Sequence, residues 1–183
     1  MANRLKIKRY LIENPLNIKA TNLLTDVANS KNGFAFNMYT VPLQQENESA
    51  VYARKVECRT FVRYSILKRR YYNSHLIEIP LEIDEKIFET KIKYTKDRGK
   101  FAIRKKRYAF YNSGMLCELD IYYDLHDKLK ILNLFPKDSD IIVDKKDTPP
   151  FFRIKKELKN EEFSLTYLIN NNFNQFDNDM IDR

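Results

Sequence analysis

The stretch Met115–Tyr123, MLCELDIYY, constrains the fold more than any other part of the chain. Read with the two-residue period of a β-strand, Met115, Cys117, Leu119, Ile121 and Tyr123 fall on one face. Leu116, Glu118, Asp120 and Tyr122 fall on the other. Two carboxylates at i and i+2 on a strand project the same way, and hard oxygen donors so placed can share a Mg²⁺ or Mn²⁺ ion. The plainer reading of the same pair is a solvated strand face.

Lys105 and Arg107 repeat the i, i+2 spacing with basic groups on the strand before, and Asn112-Ser113-Gly114 reads as a hairpin turn between the two. Across that hairpin the basic pair sits close to Glu118 and Asp120. Cations that neutralise phosphate oxygens beside carboxylates that hold a metal would suit a metal-bound triphosphate. The alternative is a set of cross-strand salt bridges, each worth at most ~1 kcal/mol if exposed.

The rest of the chain is rich in strand patterns. Residues 6–13, 34–41, 51–55, 60–67, 76–79, 91–94, 101–110, 115–125 and 129–135 read as strands, with a basic connection at Lys68-Arg69-Arg70. Residues 16–29 read as a helix that stops at Asn32-Gly33, and Pro80 starts a second, amphipathic helix over 81–90. After Pro149-Pro150, the spacing of Phe152, Leu158, Phe163 and Leu168 suggests short helices. Many strands with few helices predict an α+β fold built on a closed or near-closed antiparallel β-barrel. One domain over residues 1–170 is expected, followed by a polar, mobile tail at 171–183.

Composition excludes several chemistries. The 183 residues contain three glycines, at 33, 99 and 114. Neither GxxxxGK[ST] nor GxGxxG is present, so phosphate must be handled by side-chain charge rather than a glycine-rich loop. Cys58 and Cys117 are far apart, with no CxxC and no Cys/His cluster, which argues against zinc and for two free thiols in a reducing compartment. His75 and His126 have no Ser or Cys partner pattern and read as structural or surface residues. The N-terminus lacks the apolar core of a signal peptide, and no apolar run approaches the ~20 residues of a membrane span. A cytoplasmic location is expected, with no membrane partner.

The net charge is +8, which favours an anionic partner. Residues 54–70 hold seven cations against Glu57, and residues 91–107 hold nine against Asp97. Tyr64, Tyr71, Tyr72, Phe101 and Tyr108 interleave with them, so these stretches also read as a surface for nucleic acid or a protein assembly. No helix-turn-helix, zinc-finger or RNP-like signature accompanies them.

LIEIPLEIDEKIFE (76–89), IRKKRYAF (103–110), CELDIYY (117–123), PKDSD (136–140) and the segment 149–157 resemble, in order and spacing, motifs of the CYTH, or triphosphate tunnel, family. The resemblance covers about the C-terminal two-thirds of the chain. It implies a closed antiparallel barrel whose tunnel is lined by acidic and basic residues. It also implies metal-dependent triphosphate hydrolysis, in a family that includes adenylate cyclases and thiamine and RNA triphosphatases. Carried onto this sequence, it gives Arg54, Arg63, Lys105 and Arg107 to phosphate, with Lys68 an alternative to Arg63. Glu78, Glu118 and Asp120 go to the acidic, metal-holding set. The family's N-terminal ExExK falls on Leu5-Lys6-Ile7-Lys8-Arg9, and its late EVE on Leu132-Asn133-Leu134, where the glutamates are absent. The expectation is therefore a protein that binds a triphosphate, polyphosphate or nucleotide in a basic tunnel, with hydrolysis weak or lost. A non-catalytic module docking nucleic acid or a protein assembly through its basic face is the rival.

Overall fold

The computed structural model describes residues 7–30, 34–45, 49–72, 75–96, 102–124, 129–137 and 141–158. Nine strands form one antiparallel sheet: β1 (Lys8–Ile12), β2 (Phe34–Gln45), β3 (Ser49–Glu57), β4 (Val62–Tyr72), β5 (His75–Ile83), β6 (Ile103–Asn112), β7 (Met115–Tyr122), β8 (Lys130–Phe135) and β9 (Ile154–Leu158). Two helices, α1 (Ile18–Asn29) and α2 (Glu85–Lys96), complete the regular structure. The strand order is β5-β4-β3-β2-β6-β7-β8-β1-β9. Two meanders, β2 to β5 and β6 to β8, join through the β2–β6 pair. The β6–β7 hairpin has the expected two-residue loop, with Ser113 at φ 49° and Gly114 at φ 75°. Positive φ at both positions matches the twist of the flanking strands.

The sheet curls into a tunnel, but hydrogen bonds do not close it. Among the described residues β5 and β9 remain edges, so of the closed or near-closed barrel expected from the sequence it is the fully closed form that is corrected. The curl is visible in the electrostatics. Glu118 on β7 is perturbed by Glu78 on β5, five strand spacings away along the sheet. A flat sheet would separate them by about 24 Å.

The convex face of the β7–β8–β1 side carries the main core. Tyr10, Ile12, Cys117, Leu119, Leu132 and Leu134 pack there with Ala20 and Leu24 of α1 and with Val143 and Phe152. Asn17 caps α1, accepting from the Ala20 N–H at 2.9 Å, and donates to the Phe151 carbonyl at 2.5 Å. One residue thus fixes both the helix start and the segment that closes over the core. On the other half of the convex face, Phe88 of α2 packs against Tyr39 of β2 and Tyr64 of β4. Both cysteines are free thiols. Among the described residues no helix is long and apolar enough to cross a membrane.

Several local readings are corrected. Pro80 lies inside β5 opposite Leu67 and does not begin a helix. A proline has no N–H for the ladder, and an edge strand tolerates that. The helix starts after Asp84, whose carboxylate accepts from the Ile87 N–H at 2.8 Å, and runs through residues 91–94, which had strand propensity. Phe88 and Thr95 are buried on that helix. Lys68-Arg69-Arg70 is not a connection but the middle of β4. Residues 154–158 form a strand rather than a helix, and Phe163, Leu168 and the tail expected at 171–183 lie outside the described residues.

Candidate functional site

Strand register sorts the charged residues. Arg107 pairs with Asp120, Ala109 with Glu118, and Lys105 with Tyr122, so these side chains share one face of β6 and β7. Following the pairs outward, Thr40 opposite Arg54, Ala50 opposite Arg69, and Arg69 opposite Glu78 lie on the same face. On the other side Glu118 pairs with Asn133, and Asn133 with Arg9. The opposite face of β7 is the apolar core, so the charged face is the concave one. Arg54, Arg63, Glu78, Lys105, Arg107, Glu118 and Asp120, all singled out from the sequence, occupy it.

Asp120 is the hub. It is 2 % exposed, and its Oδ2 accepts from Lys105 Nζ at 2.6 Å. Arg107 donates through Nε to Oδ1 at 2.7 Å and through Nη2 to Oδ2 at 2.8 Å, a bidentate fork. Arg107 Nη1 also lies 2.6 Å from Glu118 Oε2. That contact is an ion pair off the N–H direction, so Oε2, buried, accepts no hydrogen bond among the described residues. Asn133 Nδ2 donates to the Glu118 carbonyl at 3.2 Å and lies 3.5 Å from Asp120 Oδ2.

These contacts set the protonation states. Burial alone would raise the Asp120 carboxyl, but the Lys105 and Arg107 charges and their hydrogen bonds hold it at about 2. Burial, and then the Arg107 charge, push the Lys105 ammonium down to about 8 even though Asp120 pulls the other way. Burial raises Glu118 against the opposing pull of Arg107. Tyr122, buried and beside Asp120, keeps its phenol proton far above neutral pH.

A second cluster lies on β3, β4 and β5. Arg69 Nε is 2.6 Å from Glu78 Oε1, again an ion pair without hydrogen-bond alignment, and the Arg69 guanidinium sits 5.2 Å from the Tyr52 ring centre. Arg54 Nε is likewise buried with no hydrogen-bond partner among the described residues, and burial lowers its pKa; Glu78 pulls the other way, and Arg69 and Arg107 add like charge. Arg63 shares the register but is exposed, with its guanidinium over Phe61 at 4.9 Å, which puts it at the rim.

Two inward residues carry no signal in the sequence reading. Arg69 sits in a basic run that reads as surface, yet it alternates with exposed Lys68 and Arg70 and points inward. Asn133 lines the same face, as does Arg9, the basic end of the stretch that matches ExExK. The late strand also needed its register corrected. Leu132 and Leu134 are fully buried in the convex core, and the inward positions are Ile131 and Asn133. Neither is a carboxylate. At the N-terminal strand Arg9 and Leu11 face inward, alternation places Ile7 with them, and Leu5 lies outside the described residues.

The donor set does not fit a divalent ion. Asp120 spends both oxygens on Lys105 and Arg107, Glu118 faces Arg107, and Glu78 faces Arg69. Mg²⁺ asks for several oxygen ligands in octahedral array. Among the described residues no three of His, Cys, Asp and Glu gather closely enough to hold one.

No protein-family model and no curated protein sequence matches this chain. Solved structures do. One described as the inorganic triphosphatase NE1496 is 15% identical with a TM-score of 0.57, covering 91% of this chain and 94% of that one. A putative adenylate cyclase (bh2851) from Bacillus halodurans is 8% identical with a TM-score of 0.52, covering 73% and 80%.

Proposed function

We propose that this chain, which has the CYTH or triphosphate tunnel fold, binds a triphosphate, polyphosphate or nucleotide against the concave face of its sheet, with phosphohydrolase activity weak or lost. One observation carries the reading. Arg54, with a buried Nε that lacks a partner, faces the same space as Arg69 and Arg107. A cation held among like charges in a partly buried site is stabilised by an incoming anion. Phosphate oxygens would complete the hydrogen bonding of Arg54, while Lys105 and Arg107 already stand on the facing strand. Poor hydrolysis follows from carboxylates that are committed to cations. A cytoplasmic location fits this reading, since nucleotides and polyphosphate are abundant there and two free thiols stay reduced.

The test is a thermal-shift titration with tripolyphosphate and ATP at low salt, repeated on Arg54→Ala. Wild type should rise by several degrees at millimolar ligand, and the variant should bind at least about tenfold more weakly, as removal of a charge-assisted partner predicts. No shift with either anion would sink the reading.

The affinity should also depend on pH. Lys105 faces Asp120 and Tyr122 of β7, Arg107 of its own strand, and Arg69 across the tunnel. As pH rises through about 8 its charge is lost. Tripolyphosphate binding should therefore weaken between pH 7 and 9, and Lys105→Gln should flatten that dependence.

A further inference from the structure

We infer that the tunnel takes its polyphosphate without a divalent ion, the charge being neutralised by Arg54, Arg69, Lys105, Arg107 and Arg9 instead. This rests on the proposed anion binding and specifies its form. Magnesium-bound triphosphate has its oxygens partly occupied and part of its charge cancelled, so it needs free carboxylates on the protein to hold the metal's remaining positions. The concave face offers the reverse. Its three interior carboxylates each face a cation at 2.6–2.8 Å: Asp120 with Lys105 and Arg107, Glu118 with Arg107, Glu78 with Arg69.

Ile131 and Asn133 stand at the inward positions of β8, where a further carboxylate would complete a donor set beside Glu118 and Asp120. Arg9 stands opposite Asn133. Five cations against Glu78, Glu118 and Asp120, with exposed Arg63 and Glu82 of the same register offsetting each other, leave the face positive, which favours a fully charged anion and opposes a metal ion. The cations also have the reach that a chain of phosphates requires. They lie on β1, β3, β4 and β6, which come from both meanders and the N-terminal strand, so they surround the tunnel rather than line one wall.

Glu78 and Glu118 then act against the ligand rather than for it. Each holds a cation in place and at the same time cancels part of the charge that the anion would use. Glu78 is the better probe, because its side chain is 38% exposed and its removal leaves the core intact.

The experiment is isothermal titration of the whole chain with sodium tripolyphosphate in EDTA, and again in excess Mg²⁺. Binding in EDTA at least as tight as in Mg²⁺, with about threefold or greater weakening when Mg²⁺ competes for the ligand, is the expected result. Glu78→Gln should tighten binding several-fold in EDTA. Binding that needs Mg²⁺, or that Glu78→Gln weakens, would overturn metal-free capture while leaving anion binding intact. No heat under either condition, with the fold confirmed by circular dichroism, would overturn anion binding itself and this inference with it.

Discussion

Asp120→Asn should destabilise the protein by about 3–5 kcal/mol, seen as a lower urea midpoint at unchanged m-value. The amide keeps the shape but removes the charge that two cations share. Lys105 and Arg107 would then be left half-buried in like-charge contact, next to Arg69 and Arg54. Breaking one member of a buried ion cluster costs far more than the cluster contributes, because the remaining charges stay desolvated.

The same group predicts an acid transition. Its pKa in the fold is about 2 against an ordinary 3.8, so the unfolded chain takes up the proton first. The stabilisation is present above pH 4 and lost as pH falls toward 2, on the order of 2 kcal/mol. Asp120→Asn should remove that slope. A variant within about 1 kcal/mol of wild type at pH 7 would mean the hub is not the organising charge of the tunnel.

The second large effect separates two neighbours in β8. Leu132→Glu should leave the chain unfolded, since position 132 is 0% exposed and packed beneath α1 among apolar groups. An unpaired carboxylate there costs several kcal/mol. Asn133→Glu should fold, because that position faces the concave side opposite Arg9 and next to Glu118. It should also weaken tripolyphosphate binding about tenfold or more by adding a negative charge to the site. The reverse pair of outcomes, with Leu132→Glu folded and Asn133→Glu unfolded, would show that the strand presents its other face to the tunnel.

The comparison of these two positions explains what the sequence could and could not disclose. In Met115–Tyr122 one face is apolar and the other charged, so alternation alone showed which residues share a face, and the hairpin register brings Lys105 and Arg107 within reach of Asp120. Lys130–Phe135 has both faces largely covered, and its burial runs unbroken through Leu134. A strand covered on both sides has no alternation to read, and after Lys130 at its start Asn133 is its one polar residue. Arg69 was hidden differently. Three consecutive basic residues look like a solvated turn, but alternation from Leu67, buried, places Arg69 inward and its two neighbours out.

Pro80 and residues 91–94 differ for a third reason. Proline is compatible with both a helix start and a sheet edge, and KIKY has strand propensity that packing of α2 on β2–β4 overrides. Local sequence carries neither the edge position nor the docking of that helix.

The open edge at β5 has a consequence for how the molecule behaves in a crowded solution. Ile79 and Leu81 are 58% and 64% exposed on that strand, and an unpaired strand with apolar side chains is a template for sheet growth from one molecule to the next. Pro80 stands between them. A proline in a paired strand must turn its nitrogen away from the partner, so the outward row of donors is interrupted at its centre. The residue that breaks the helix reading of this segment thus also acts as a guard against intermolecular β-stacking, letting the tunnel stay open along one seam without that seam becoming a site of aggregation.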